Sequence, residues 1–268
     1  MTTLECNACG STDLSFETVT CTIQKWLGKT CDFVICSCCG YAGNPGNTHD
    51  YRCAPFDPGS QPETSVRAGD GVTPRREYRM AEMGIEILQN HFGKAFAPDV
   101  VVYGAGLSQD HVLIQQQLPV SRVAVSDLGN FQEAQDFVPF DSREAEFDLM
   151  VACEVVEHFT DLDEDFANLL HKVRDSGLVI ASTNLRDDLP LETVTYPFEE
   201  GHTSYYSGRS LIEIGRRFGV KVDFRTPAIA LKMSTGGPRK RYVFFYRDPA
   251  IGECISQYFA DHHLAPSE

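Results

Sequence analysis

A chain of 268 residues, 42% of them hydrophobic, buries roughly three-quarters of the surface its unfolded form exposes, which excludes a mainly disordered protein. Its 38 acidic residues against 23 basic ones leave a net charge of −15, a field that repels phosphate backbones and anionic bilayers and argues against nucleic acid or membrane as a partner. No apolar run reaches the roughly 18 residues of a membrane span, and the opening Met1-Thr2-Thr3-Leu4-Glu5-Cys6 has no signal-peptide pattern, so a cytoplasmic protein is expected.

Eight of the ten cysteines fall within the first 53 residues. In a reducing compartment such a cluster points to metal or free thiols rather than disulfides. Cys6-Asn-Ala-Cys9-Gly10 and Cys36-Ser-Cys-Cys39-Gly40 are two Cys-x-x-Cys knuckles, each followed by glycine, with 26 residues between them. Two intervening residues let both thiolates of a pair turn onto one ion, so Cys6, Cys9, Cys36 and Cys39 are the predicted ligands of a tetrahedral Zn2+. Cys38 could replace Cys36 or Cys39, although spacing favours the latter two. Four thiolates leave no open position, so the zinc is expected to be structural in a segment too short to build its own core. In this segment Lys25, Lys29 and Arg52 are outnumbered by Glu5, Asp13, Glu17, Asp32, Asp50 and Asp57, unlike a ribbon that grips nucleic acid.

Residues 1–53 are thus predicted to be a zinc ribbon. Residues 54–75, with Pro55, Pro58, Pro62 and Pro74, read as a linker. From Arg76, the apolar stripe Tyr78, Ala81, Ile85, Leu88 and Phe92 predicts an amphipathic helix closed by Gly93. Thereafter strand-like and helix-like segments alternate, the pattern of a parallel sheet wrapped by helices. Strands are expected at 100–103, 122–126, 147–153 and 178–182. A helix bears Leu162, Phe166, Leu169, Leu170 and Val173 on one face, with Lys172 and Arg174 in its last turn. A helix over 208–218, a strand over 220–224 and a late aromatic strand over 241–246 follow. This places an α/β domain at 76–250 and a C-terminal tail at 251–268.

Val101-Val-Tyr103-Gly104-Ala105-Gly106-Leu-Ser108 is a strand entering a Gly-x-Gly turn and a helix opened by Ser108. Glycine admits close backbone approach, and amides at a helix start donate to a polar group. Asp127 ends the next strand, 23 residues after Gly104, where an acid can accept hydrogen bonds from both hydroxyls of a ribose. Gln109 stands where a dinucleotide site needs its third glycine, which favours a nucleoside cofactor without pyrophosphate, namely S-adenosylmethionine, over NAD. Phe147-Asp-Leu-Met-Val-Ala-Cys153 then runs directly into Glu154-Val-Val-Glu157-His158-Phe159, at the strand end where open α/β sheets bind ligands.

This order of glycine turn, ribose acid, Phe-Asp strand and Glu-His cluster resembles the class I S-adenosylmethionine-dependent methyltransferases. The two cysteine knuckles resemble the zinc ribbon that precedes a subset acting on sugars and other small metabolites. The stretch Gly201-His202-Thr-Ser-Tyr-Tyr-Ser207 is similar to the loop closing the acceptor site in that subset. The resemblance implies a Rossmann-like fold, doubly wound, with a mostly parallel seven-stranded sheet and a late antiparallel strand. It implies cofactor contacts from Tyr103, Gly104, Ala105, Gly106, Asp127, Leu128, Cys153 and Glu154, with Asp136 reading the adenine. His202 and His158 become candidate bases, since an imidazole titrates near pH 6.5 without tuning, and Glu157 would orient either. Tyr205 and Tyr206 would wall the acceptor pocket. Arg67, Arg75, Arg76, Arg79, Arg239, Lys240 and Arg241 could hold a phosphorylated acceptor or form a solvated surface. The expected function is methyl transfer to oxygen, nitrogen or carbon of a small polar acceptor, such as a sugar or nucleotide-linked metabolite. An RNA-modifying methyltransferase and a non-catalytic binding protein are the alternatives.

Overall fold

The computed structural model describes residues 4–55, 75–143, 146–186, 188–226 and 240–262. Most of the predicted linker, with Arg67, and also Arg239, lie outside the described residues. The N-terminal segment contributes β1 (Leu14–Thr20), β2 (Thr30–Cys36) and β3 (Ala42–Gly43). The remainder runs α1 (Arg76–Phe92), β4 (Asp99–Tyr103), α2 (Asp110–Gln117), β5 (Arg122–Asp127), β6 (Phe137–Pro139), β7 (Phe147–Cys153), α3 (Leu162–Leu170), β8 (Val173–Asn184), β9 (Ser204–Tyr205), α4 (Gly208–Arg217), β10 (Lys221–Arg225), β11 (Lys240–Tyr246) and α5 (Pro249–Asp261). Among the described residues no helix is long and apolar enough to cross a membrane.

Seven strands form the main sheet in the order β10-β11-β8-β7-β4-β5-β6. All neighbours pair in parallel except β11, which is antiparallel to both β10 and β8. This is the doubly wound, mostly parallel architecture expected, with its late antiparallel strand. Helices cover both faces, so the central strands are apolar without alternation. On β4, Val100 and Val102 pack with α1, α2 and α5 through Met80, Leu88, Ile114 and Ile255. Val101 and Tyr103 point the other way, into a core shared with Phe166 and Leu169 of α3 and Leu211 and Ile214 of α4.

That second core continues into the N-terminal segment, taking in Cys6, Ala8, Cys36, Cys39 and Tyr41. The small sheet is completed from far along the chain: its order is β1-β2-β3-β9, with Ala42 opposite Tyr205 and Gly43 opposite Ser204. Tyr41 Oη lies 2.8 Å from Ser204 Oγ, and Arg186 and Arg217 donate to the carbonyls of Gly40 and Asn7 at 2.8 and 2.5 Å. The N-terminal segment is therefore packed onto the loop and helix that flank β9.

Two expectations are corrected. The helix α3 ends at Leu170, so Lys172 and Arg174 do not form its last turn. Lys172 is instead fully buried, and its ammonium donates to the carbonyls of Phe140 at 2.6 Å and Asn168 at 3.2 Å and to that of Ser142. Arg174 is the second residue of β8 and bridges Asp148 and Asp99 at 2.7 and 3.2 Å. Residues 251–261 are not a tail but the body of α5, because Ile251, Ile255 and Phe259 close one face of the sheet. Exchanging Lys172 for Met leaves three carbonyls without their donor and is expected to cost about 1–3 kcal/mol of stability, measurable as a lower urea midpoint.

Candidate active site and metal centre

The two knuckles converge. Cys6 Sγ lies 3.7 Å from Cys39 Sγ, and Cys9 Sγ lies 3.6 Å from Cys36 Sγ. All four thiols fall within 4.8 Å of one another. Sulfurs bound tetrahedrally at about 2.3 Å from Zn2+ stand ~3.8 Å apart, so the spacing fits that ion. Each knuckle turns through a glycine with positive φ, Gly10 at 74° and Gly40 at 75°, whose amides bond back to Cys6 and Cys36. Cys38 is exposed and stands outside the cluster. His49 is engaged elsewhere, with Glu200 Oε1 at 3.0 Å and the Ala54 carbonyl at 3.1 Å.

A cavity of about 940 Å3 opens over the carboxyl ends of β4, β5 and β7, where the strand order reverses about β4. Gly104 follows β4 at φ 68°. A Cβ there would stand 2.7 Å from Val155 Cγ2, so both its conformation and its space require glycine. Asp127 Oδ2 accepts from the Gly106 amide at 2.8 Å, and Oδ1 from the Leu128 amide at 2.6 Å. Burial raises the Asp127 pKa from its ordinary value, against the pull of these amides. The Gln132 side chain donates to the Gly106 carbonyl, bracing the turn from its other side. Tyr103 Oη is buried, has no hydrogen-bond partner among the described residues, and belongs to a side chain that lines the cavity.

At the end of β7, burial pushes the Cys153 thiol up to about 11, so it is neutral at pH 7. Glu154 adopts φ 56°, a left-handed conformation rare outside glycine and concentrated at functional sites. Its Oε1 accepts from Ser182 Oγ at 2.9 Å, and its carboxylate pairs with buried Lys240. Of the predicted cofactor residues, Ala105 and Asp136 do not line the cavity. Ala105 packs into the core beneath α1. Asp136 instead has both its oxygens engaged by the Arg122 guanidinium. Leu128, Phe131 and Phe140 line that end instead.

Beneath the glycine turn lies a second acid pair. Glu77 and Asp110 are both buried, with Ser108 Oγ donating to Glu77 at 3.3 Å and the Tyr78 amide to Asp110 at 3.1 Å. Burial, then the neighbouring Asp110, pushes Glu77 up to about 8. The folded chain therefore binds a proton that the unfolded chain, with a Glu pKa of about 4.3, has released. Stability is fully present below that unfolded value and falls as pH rises through the folded one. We expect the melting temperature to drop between about pH 5 and pH 8, and Glu77→Gln to flatten that slope in calorimetry.

The far end of the cavity gathers Glu157, His158 and His202. Glu157 is fully buried. Its Oε1 accepts from Tyr196 Oη at 2.6 Å, whereas Oε2 has no partner among the described residues. Burial raises Glu157 to about 7. His158 Nδ1 lies 2.8 Å from both the Gly201 carbonyl and Tyr51 Oη. His202 packs edge-on against Tyr196 and His158, with centroids 4.3 and 4.9 Å apart. Burial lowers His158 to about 4 and His202 well below its ordinary value. Both imidazoles are thus neutral at pH 7, which corrects the expectation of an untuned pKa.

Tyr205 and Tyr206 do not wall this pocket: Tyr206 is fully buried, its hydroxyl bonded to the Val156 carbonyl at 2.9 Å, and Tyr205 Oη reaches the Leu185 carbonyl. Tyr51 and Tyr196 take that place, joined by Lys25, Trp26 and His49 from the N-terminal segment. The density of polar and aromatic residues in His49-Asp50-Tyr51-Arg52 was the one available signal for this wall. Among the basic residues considered, Arg76 lines the cavity, Arg79 pairs with Glu82 and Lys240 with Glu154.

The methyltransferase domain family matches residues 78–223, more than half of the chain. The chain belongs to this family. It is an S-adenosylmethionine-dependent methyltransferase. Among solved structures it is similar to the 1,6-didemethyltoxoflavin-N1-methyltransferase of Burkholderia thailandensis, at 18% identity over 76% of this chain and 94% of that one, with a TM-score of 0.46. It is also similar to the plantazolicin methyltransferase BpumL, at 15% identity over 65% and 85% of the two chains, with a TM-score of 0.48. A TehB-like methyltransferase from Corynebacterium glutamicum matches at 14% identity over 62% and 88%, with a TM-score of 0.42. No curated protein matches the methyltransferase significantly.

Proposed function

We propose that this methyltransferase holds S-adenosylmethionine at the glycine-turn end of the cavity and methylates a small polar acceptor, such as a sugar or other hydroxyl-bearing metabolite, at the histidine end. One observation carries the reading. Gly104, Gly106, Asp127 and Leu128 line the same cavity as Tyr51, Glu157, His158, Tyr196 and His202. Asp127, oriented by two amides, accepts from the ribose hydroxyls. Leu128, Phe131 and Phe140 form the apolar wall for adenine. Tyr103 and Glu154 also line the cavity. When bound, the sulfonium supplies an activated methyl with its own leaving group. The chain's residues align the acceptor and exclude water, and the Glu157, His158 and His202 cluster meets the acceptor's nucleophilic atom. The mixed charges lining that end, from Lys25, Glu199 and Glu200, suit a polar acceptor.

Cys6, Cys9, Cys36 and Cys39 would hold a structural Zn2+, closed to substrate by its fourth thiolate. Its place is to fix the segment that carries Tyr51.

Labelled S-adenosylmethionine incubated with metabolite extracts, followed by mass analysis of the methylated product, tests the function. His202→Ala is expected to keep cofactor affinity, by calorimetry, within about twofold while lowering turnover roughly 10²–10⁴-fold. Absence of cofactor binding overturns the reading. A methylated RNA, with binding that weakens steeply in salt, would replace its acceptor.

A further inference from the structure

Glu157, His158 and His202 each offer one ligand atom, and these three atoms lie within 4.8 Å of one another. They come from two distant pieces of chain, the short helical turn after β7 and the loop before β9. Glu157 is fully buried, yet its Oε2 makes no hydrogen bond among the described residues and its side chain lines the cavity. A buried carboxylate oxygen in that state is costly unless a cation or donor meets it. His202 Nδ1 is likewise buried and without a partner among the described residues.

The groups behind these atoms are arranged as supports for ligands. Tyr196 Oη donates to Glu157 Oε1, fixing the carboxylate and leaving Oε2 directed elsewhere. Gly201 O lies 2.8 Å from His158 Nδ1, so Nδ1–H donates to a carbonyl and the lone pair is placed on Nε2. A backbone carbonyl or carboxylate on the far ring nitrogen is the usual companion of a metal-bound histidine. Gly201 itself has φ 79°, and a Cβ there would overlap Tyr51 Oη, so this backing is built around glycine. The Cys6, Cys9, Cys36 and Cys39 cluster is a separate group and supplies none of these ligands.

We propose that Glu157, His158 and His202 form a second metal site, for a divalent first-row transition cation. Two imidazoles and one carboxylate on one side of an open cavity leave further coordination positions for solvent and substrate. The site deepens the proposed function, resting on it for the identity of the acceptor but not for cation binding. An acceptor hydroxyl that enters the open position is polarised by the cation and loses its proton to solvent. Its oxygen then forms the new bond to the methyl carbon as the carbon–sulfur bond breaks, and that electron pair goes to sulfur, leaving S-adenosylhomocysteine.

Manganese is the discriminating probe, because Mn2+ is a hard cation suited to carboxylate and solvent oxygens, whereas the thiolates of the cysteine cluster select softer ions. Zinc-loaded protein, free of cofactor, is titrated with Mn2+ and followed by the loss of the free-ion electron paramagnetic resonance signal. Wild type is expected to bind about one equivalent, displaced by excess Zn2+, as a three-ligand site of this kind requires. Glu157→Gln and His202→Ala are expected to weaken it at least tenfold, on the order of what loss of even an outer-shell partner costs, with zinc content unchanged. Where a variant does not fold, the wild-type stoichiometry decides. No bound Mn2+ at millimolar concentration, or affinity unchanged in both folded variants, overturns the site. Since no cofactor is present, that failure is distinct from failure to bind S-adenosylmethionine.

Discussion

Replacing Asp127 with Ala is expected to weaken S-adenosylmethionine and S-adenosylhomocysteine binding about 100-fold, as loss of one or two hydrogen bonds to a charged group implies. The carboxylate does two things at once. It accepts from the amides of Gly106 and Leu128 at 2.8 and 2.6 Å, and it presents its remaining lone pairs to the cavity it lines. Ala removes the ribose acceptor and releases the glycine turn, which Gln132 then holds from one side only. Asp127→Asn keeps the size and part of the accepting capacity, so a smaller loss is expected. The burial that raises the Asp127 pKa makes an uncompensated group here expensive, so the variant need not be less stable. Calorimetry with S-adenosylhomocysteine reads affinity and a thermal melt reads folding. Equal affinity in wild type and Asp127→Ala would remove Asp127 from the cofactor site.

The second large effect is expected at the cysteine cluster. Cys36→Ser should lose the zinc, and with it the folding free energy that a structural Zn2+ supplies, roughly 10 kcal/mol in isolated zinc modules. In this segment β1 is largely exposed, and Cys6, Cys36 and Cys39 are themselves core residues packed with Tyr206 and Ile214. Once the knuckles open, the β3–β9 pairing and the Tyr41–Ser204 contact lose their anchor. Tyr51 would then leave His158, to which it is bonded at 2.8 Å. The expected signature is an early melting transition and a fall in kcat/KM. Cofactor affinity would change little, because Gly104, Gly106 and Asp127 are carried by β4 and β5. Cys38→Ser is the control: the residue is exposed and outside the cluster, so zinc content and melting should match wild type. Retention of zinc in Cys36→Ser, by elemental analysis, would refute the assignment of that ligand.

Much of this arrangement was legible residue by residue. The cysteine pairs with their glycines, the strand running into Gly104, Asp127 at the next strand end and the Glu154 to His158 segment each declare themselves within a dozen residues. Local chemistry dictates such motifs: two thiolates must turn onto one ion, a close backbone approach excludes a side chain, and a buried parallel strand is a short apolar run. The helix from Arg76 and the strand 147–153 were equally clear from periodicity.

Other features had no local signature. Asp136 is an unremarkable acid in sequence, and nothing near it announces its pairing with Arg122 or its absence from the cavity lining. Tyr51 is separated from His158 by 107 residues, and nothing near either one announces the other. The apolar stripe that suggested a longer α3 cannot distinguish a last helical turn from the first residues of β8, since Val173 is buried in both. Residues 251–261 carry a helical stripe of only three buried side chains, which reads as a tail until the sheet face they cover is known.

The amino-acid sequence alone thus determined the α/β class, the four thiols that converge and the glycine turn and acid that line one end of the cavity. Each is a matter of neighbours along the chain or of residue types that chemistry makes hard to replace. Only the tertiary structure decided that Glu157, His158 and His202 meet, that both histidines are neutral, and that the N-terminal segment walls the histidine end of the cavity. Those facts depend on burial and on contacts between distant segments, which arise when the sheet and its coverings pack and which no short stretch of sequence encodes.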